Sequence, residues 1–152
     1  FLKALCLLPL RPGSLASLTG RDFDKRTRTL TIGKDKNGIP RQISLPQVIA
    51  DFFAAQVKDK LPTEPVFSRN SGDAWNKDSW KNPIKTAVKG ANLPNAVSAY
   101  TLRHSIITDL VRVRLPILTV AQLSGTSVAM IEKHYGHLVR DDAEEALATL
   151  EI

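Results

Sequence analysis

A single cysteine, Cys6, is present among 152 residues. It leaves no partner for an internal disulfide and points to a reducing compartment, the cytoplasm. No apolar run approaches the ~18 residues needed to cross a bilayer, so a membrane partner is not expected. Glycine numbers only 8, and Gly33 and Gly38 flank a turn between two strands. Neither opens a helix in the way a phosphate-cradling loop requires. Histidine is equally sparse, with His104, His134 and His137. His134 and His137 are separated by the helix-breaking Gly136, and no acidic cluster stands ready to complete a metal shell. No metal and no cofactor is expected.

What remains is an ordinary globular composition, 43% hydrophobic and 24% charged, which excludes a disordered or collagen-like chain. The length suits one domain and buries roughly 68–70% of the unfolded surface without staples. Residues 1–10 are apolar nearly throughout and read as a core helix cut open, with more chain expected before Phe1 and Cys6 as a small core residue.

Charge is the first positive signal. Five of the fifteen acidic residues (Asp141, Asp142, Glu144, Glu145 and Glu151) fall in the last twelve positions, which hold no Lys or Arg. With 21 basic residues against ten acidic ones, residues 1–140 carry +11, and the tail carries −5. A body this basic suits a polyanion, with nucleic acid the first candidate and an anionic membrane surface the second. The chain divides into a body, 1–140, and an acidic tail, 141–152. In the tail, Ala143, Ala146, Leu147 and Leu150 share one stripe of an amphipathic helix.

The periodicities give a mainly α domain with one small antiparallel sheet. A turn at residues 11–14 leads to a short helix that Ser14 could cap. Residues 20–24 read as loop. Residues 27–32 alternate as a strand, Asn37-Gly38 supplies hairpin chemistry, and residues 41–45 return as a second strand. Helices are expected over 46–57 and 76–90. The second carries Lys77, Lys81, Lys85 and Lys89 along one face, with Pro83 as a point of interruption. Residues 100–112 form a helix with Leu102, Ile106 and Leu110 as its apolar stripe and His104 capping or packing at its start. Short helices follow over 119–124 and 128–135, closed by Gly125 and Gly136.

One set of residues stands out by order and spacing: Arg11, Lys36, Tyr100-Thr-Leu-Arg103, Gly125-Thr126, and Lys133-His-Tyr135-Gly-His137. Together they resemble the tyrosine recombinases, the phage integrases and their relatives, over nearly the whole chain as that family's catalytic domain. Leu10-Arg-Pro-Gly13 resembles the loop of the first catalytic arginine, and residues 30–45 the hairpin that bears a catalytic lysine. Tyr100-Thr-Leu-Arg-His104 resembles the His-x-x-Arg helix start. Leu123-Ser-Gly-Thr-Ser127 resembles the Leu-x-Gly-His-Ser turn, and Lys133-His-Tyr-Gly-His-Leu138 the nucleophile segment. Three positions depart from the pattern: Tyr100 and Thr126 stand where the family has histidine (or, at the second, tryptophan), and Ser14 stands where it often has an acid.

The resemblance implies a site-specific recombinase or integrase that cuts and rejoins DNA through a 3′-phosphotyrosine. Arg11 and Arg103 would neutralise the phosphorane with bidentate donors, and Tyr135 would be the nucleophile, activated by neighbouring cations. Lys36 would protonate the leaving sugar oxygen; lying eight residues before Ser44, it is preferred over Lys34 by spacing. Tyr100 and Thr126 would hydrogen-bond a phosphate oxygen. With no histidine at either position, the nucleophile's proton would go to water, Tyr100 or the phosphate. His137 could support the site. Lys34, Arg41, Lys77, Lys81 and Lys85 would contact DNA, and further copies would associate on it. The alternatives are an inactive DNA-binding descendant and a type IB topoisomerase-like relaxing enzyme.

Overall fold

The computed structural model describes residues 1–33, 40–138 and 147–149. Lys34, Lys36 and most of the acidic tail lie outside the described residues.

Three antiparallel strands form a sheet in the order β1 (Phe23–Asp24), β2 (Thr29–Ile32), β3 (Arg41–Ser44). Register sets Leu30 opposite both Phe23 and Ile43, and Ile32 opposite Arg41. Leu30, Ile32 and Ile43 are buried on the core face, as a period of two demands. β1 is a strand where the sequence reads as loop, because two residues are too few to show alternation. It follows a 3₁₀ turn, Gly20–Asp22, held by a capping box. The Asp22 carboxylate accepts from the backbone N–H and the hydroxyl of Thr19, at 2.8 and 2.7 Å.

Helix starts differ from expectation for local reasons. α1 (Leu2–Leu5) is a single turn, so Cys6 lies at its C-cap and is exposed, not core. α2 (Pro12–Ala16) begins at a proline whose missing N–H costs nothing in a first turn. Arg11 is its N-cap, and Ser14 sits inside the helix instead of capping it. α3 (Gln47–Val57) follows Pro46 and packs Phe53 against the rings of Phe23 and Phe67. α4 runs only over Lys81–Gly90. Upstream, the Asn76 side-chain oxygen accepts from the backbone N–H groups of Asp78 and Ser79 at 3.0 and 2.9 Å. That turn competes with helix, so Lys77 precedes the helix, while Pro83 is tolerated in its first turn.

α5 (Ala99–Arg112) is capped by Ser98, which exchanges hydrogen bonds with Thr101. His104 therefore does not cap it. Its buried stripe is Ala99, Arg103, Ile107 and Val111, whereas the expected Leu102, Ile106 and Leu110 are half-buried. α6 (Ile117–Ser124) and α7 (Val128–Tyr135) pack against its second half, and a 3₁₀ turn, Gly136–Leu138, follows.

Buried apolar residues fall into two clusters. The larger gathers α1 to α4, the sheet and the segment around Val66 and Phe67, and ends at Ala99. The smaller holds Ile107, Val111, Val120, Ala121, Ile131 and Tyr135. α5 runs through both, and Arg103 occupies the seam. No helix among the described residues is long and apolar enough to cross a membrane.

Candidate active site

Arg103 is only 7% exposed although it carries a charge. A buried charge is costly unless paired or hydrogen-bonded, and this one spans the seam. Its Nη1 donates to the Pro9 carbonyl, from the first cluster, and to the Ser124 carbonyl, from the second, the latter at 2.8 Å. Burial first, and the neighbouring Arg11 guanidinium second, lower its pKa to about 10. It therefore remains a cation at neutral pH. Tyr135, Arg41 and Tyr100 also act on that charge, which places all four around one guanidinium.

The turn between α6 and α7 positions the next groups. Gly125 has φ +66° and ψ +48°, a left-handed conformation that glycine adopts without strain. Its N–H donates to the Gln122 carbonyl, and the Thr126 N–H donates to the Ala121 carbonyl, at 3.2 and 3.0 Å. This pair is a Schellman closure. It leaves Thr126 half-buried and starts α7 at Ser127, whose hydroxyl accepts from the Met130 N–H. Gly125 also lacks a Cβ because something else fills that space. A Cβ there would lie 2.1 Å from Nη1 of Arg41. Arg41, expected among the peripheral DNA contacts, thus reaches from β3 over the glycine turn into the cluster around Arg103.

Tyr135 ends α7 with its ring in the smaller core, 7% exposed. Burial raises its phenol above the ordinary value near 10, while the Arg103 guanidinium pulls the other way. The expected activation by cations is thus outweighed by desolvation, and the resting tyrosine is a neutral phenol. Its hydroxyl is hydrogen-bonded to Nδ1 of His104. Sequence reasoning missed this pairing. The available signal was helical spacing: His104 follows Arg103 by one residue, about 100° around the helix, and so faces a different neighbour.

Tyr100, one turn before Arg103, is 54% exposed. It lines a groove of about 600 Å³ with Lys77, Lys81, Lys85 and Gly13. The groove brings three of the expected DNA-contact lysines together beside the site, and Lys81 is also ion-paired with Asp78 at 3.0 Å. Lys34 and Lys36 fall outside the described residues. In sequence they lie between Ile32, the end of β2, and Arg41, the start of β3 and the residue that touches the glycine turn.

The arrangement gathers Arg11 and Arg41 around the Arg103 guanidinium, beside a buried, neutral phenol hydrogen-bonded to a histidine nitrogen. No curated protein sequence matches the chain, but solved structures share its fold. The Tn1549 transposon integrase in complex with a circular intermediate DNA superposes with a TM-score of 0.82 at 18% identity, over 97% of this chain and 57% of that one. XerA recombinase gives 0.76 at 18%, over 98% and 57%. The XerH site-specific recombinase bound to a palindromic difH substrate gives 0.74 at 21%, over 97% and 44%. The chain thus spans about half the length of these structures, and it has the catalytic-domain fold of the tyrosine recombinases. With the model of the phage integrase family matching residues 1–141, the chain belongs to the phage integrase family.

Proposed function

We propose that the chain is the catalytic domain of a site-specific recombinase that cuts and rejoins double-stranded DNA through a 3′-phosphotyrosine at Tyr135. One observation carries the reading. A buried phenol sits beside a buried guanidinium, Arg103, whose charge is also felt by Arg11 and Arg41. A scissile phosphate placed there meets planar donors aimed at its non-bridging oxygens. Such donors stabilise the phosphorane without a metal ion. A covalent intermediate then splits one difficult displacement into two reversible ones.

Arg11 and Arg103 hold the phosphate, and Tyr100 and Thr126 hydrogen-bond its remaining oxygens in place of the family's histidines. Lys36, between β2 and β3 in sequence, supplies the proton to the leaving 5′ oxygen. The groove lined by Lys77, Lys81, Lys85 and Tyr100 receives the flanking duplex, with charge supplied by the +11 body.

A pool of nicked, random-sequence duplexes tests the reading by trapping covalent protein–DNA adduct. The wild type should form adduct in the presence of chelator, and Tyr135→Phe should form none while keeping salt-sensitive binding. Lys36→Ala should react ~100-fold slower on ordinary DNA and near normally when sulfur replaces the bridging 5′ oxygen. Salt-sensitive binding without adduct would leave an inactive DNA-binding descendant. Adduct from Tyr135→Phe would misplace the nucleophile.

A further inference from the structure

We propose that His104 is the general base of the cleavage step, taking the proton of the Tyr135 hydroxyl. The inference rests on the reading of Tyr135 as nucleophile and deepens it. A neutral phenol is a poor nucleophile, so its proton must leave as the oxygen–phosphorus bond forms. Neither Tyr100 nor Thr126 is a good base at neutral pH, and His134 meets the Tyr135 ring only edge-on, with centroids 6.5 Å apart. His104 alone has a ring nitrogen hydrogen-bonded to the reacting oxygen among the described residues.

The fold explains how it gets there. Ser98 and Thr101 satisfy the start of α5 between themselves, which leaves the imidazole one turn on free to cross to α7. Adjacent positions on one helix then divide the labour: Arg103 turns inward to the carbonyls of the seam, and His104 turns to the nucleophile. His104 itself is exposed, so a proton it accepts has a route to solvent.

The step balances simply. With its proton on Nε2, the neutral imidazole offers the Nδ1 lone pair to the hydroxyl. The Tyr135 O–H bond breaks, the proton moves to Nδ1, and the phenolate oxygen bonds to phosphorus. The bond to the 5′ oxygen breaks, and that oxygen leaves with a proton from the separate general acid. Religation reverses each transfer, the imidazolium returning its proton to the tyrosine. The charged and titratable groups facing the pair are Arg103 from α5, which acts on the Tyr135 phenol, and His134 from α7, edge-on to its ring; Arg11, Arg41 and Tyr100 act in turn on Arg103. Arg103 stays cationic at neutral and acidic pH, so an acid-side loss of rate does not come from it.

Single-turnover adduct formation on the same duplex pool, followed from pH 5.5 to 9, tests this for wild type, His104→Ala and His104→Gln. The wild-type rate should fall on the acid side, because a protonated imidazole accepts nothing. His104→Ala should be ~100-fold or more slower at pH 7.5 and lose that acid limb. His104→Gln should stay slow although it can still hydrogen-bond the hydroxyl, which separates a base from a positioning contact. Equal rates and an unchanged acid limb in both variants would overturn the base assignment alone. Full recovery in His104→Gln would overturn it in favour of positioning. No adduct from the wild type would overturn the recombinase reading and the base with it. Both substitutions fall at an exposed position, so folding is not at stake.

Discussion

The two buried clusters differ in size and in what they hold. Among the described residues, the sheet, α1 to α4 and their connections, up to the start of α5, bury eighteen apolar residues from Ala4 to Ala99. Beyond the seam, α5, α6 and α7 bury six, and one of them is Tyr135. The large cluster is a scaffold with no reacting group in it. The small one holds Tyr135, the proposed nucleophile, and depends on its neighbour for placement. What joins them is α5, whose stripe Ala99, Arg103, Ile107 and Val111 enters one core, crosses the seam and enters the other. The placement of Tyr135 is thus borrowed from the larger core through one helix and one guanidinium.

Removing Arg103 should break the comparison most. Arg103→Ala strips donors from the Pro9 and Ser124 carbonyls and from the phosphate site. Adduct formation should fall by ~100- to 1,000-fold, and stability by about 1.5–3 kcal/mol. Amide exchange should quicken in α6 and α7 while β2 and β3 keep their protection. Uniform loosening of both regions would mean that the seam is not where they are joined.

Truncation within each core sharpens the contrast. Ile131→Ala and Leu30→Ala each remove a side chain that is at most 1% exposed, and each should cost about 2–4 kcal/mol. Leu30→Ala should lower protection everywhere, because the small cluster has no independent support. Ile131→Ala should open α6 and α7 first. Identical exchange patterns from the two would make the clusters a single cooperative core.

The smallest effect is expected at the turn. Gly125→Ala forces an alanine to φ +66° and moves the Arg41 guanidinium. It should cost about 1 kcal/mol and slow adduct formation, whereas Arg41→Ala should slow it without that cost. Wild-type activity in Gly125→Ala would show that the Arg41 placement is immaterial.

Much of this was legible in the chain, because local chemistry set it. The alternation around Leu30 and Ile32 made a strand, and Gly125 and Gly136 closed helices where expected. Other features needed the fold. β1 becomes a strand only because β2 lies beside it, though the spacing of Thr19 and Asp22 advertises a capping box. The stripe of α5 could not be read as Arg103, Ile107 and Val111, since a charged residue is not counted as core until its carbonyl partners are known. Of the candidate site, Arg11, Arg103 and Tyr135 were readable as motif residues. Arg41 and His104 were not readable as neighbours of the reacting groups, because their partners, Gly125 and Tyr135, lie 84 and 31 positions away.

The span of the Arg103 bonds has a consequence for how the protein is born. Its two carbonyl partners are 94 residues upstream and 21 downstream. Closing the longer loop costs only about 1 kcal/mol more than the shorter, so equilibrium barely distinguishes them, but synthesis does. On the ribosome the segments that build the sheet emerge first, and Pro9 waits through ninety-four residues for its partner. Ser124 and Tyr135 follow later still. A nascent chain therefore presents the strands of the sheet well before the Arg103 seam can close, and the seam waits for α5 and α6.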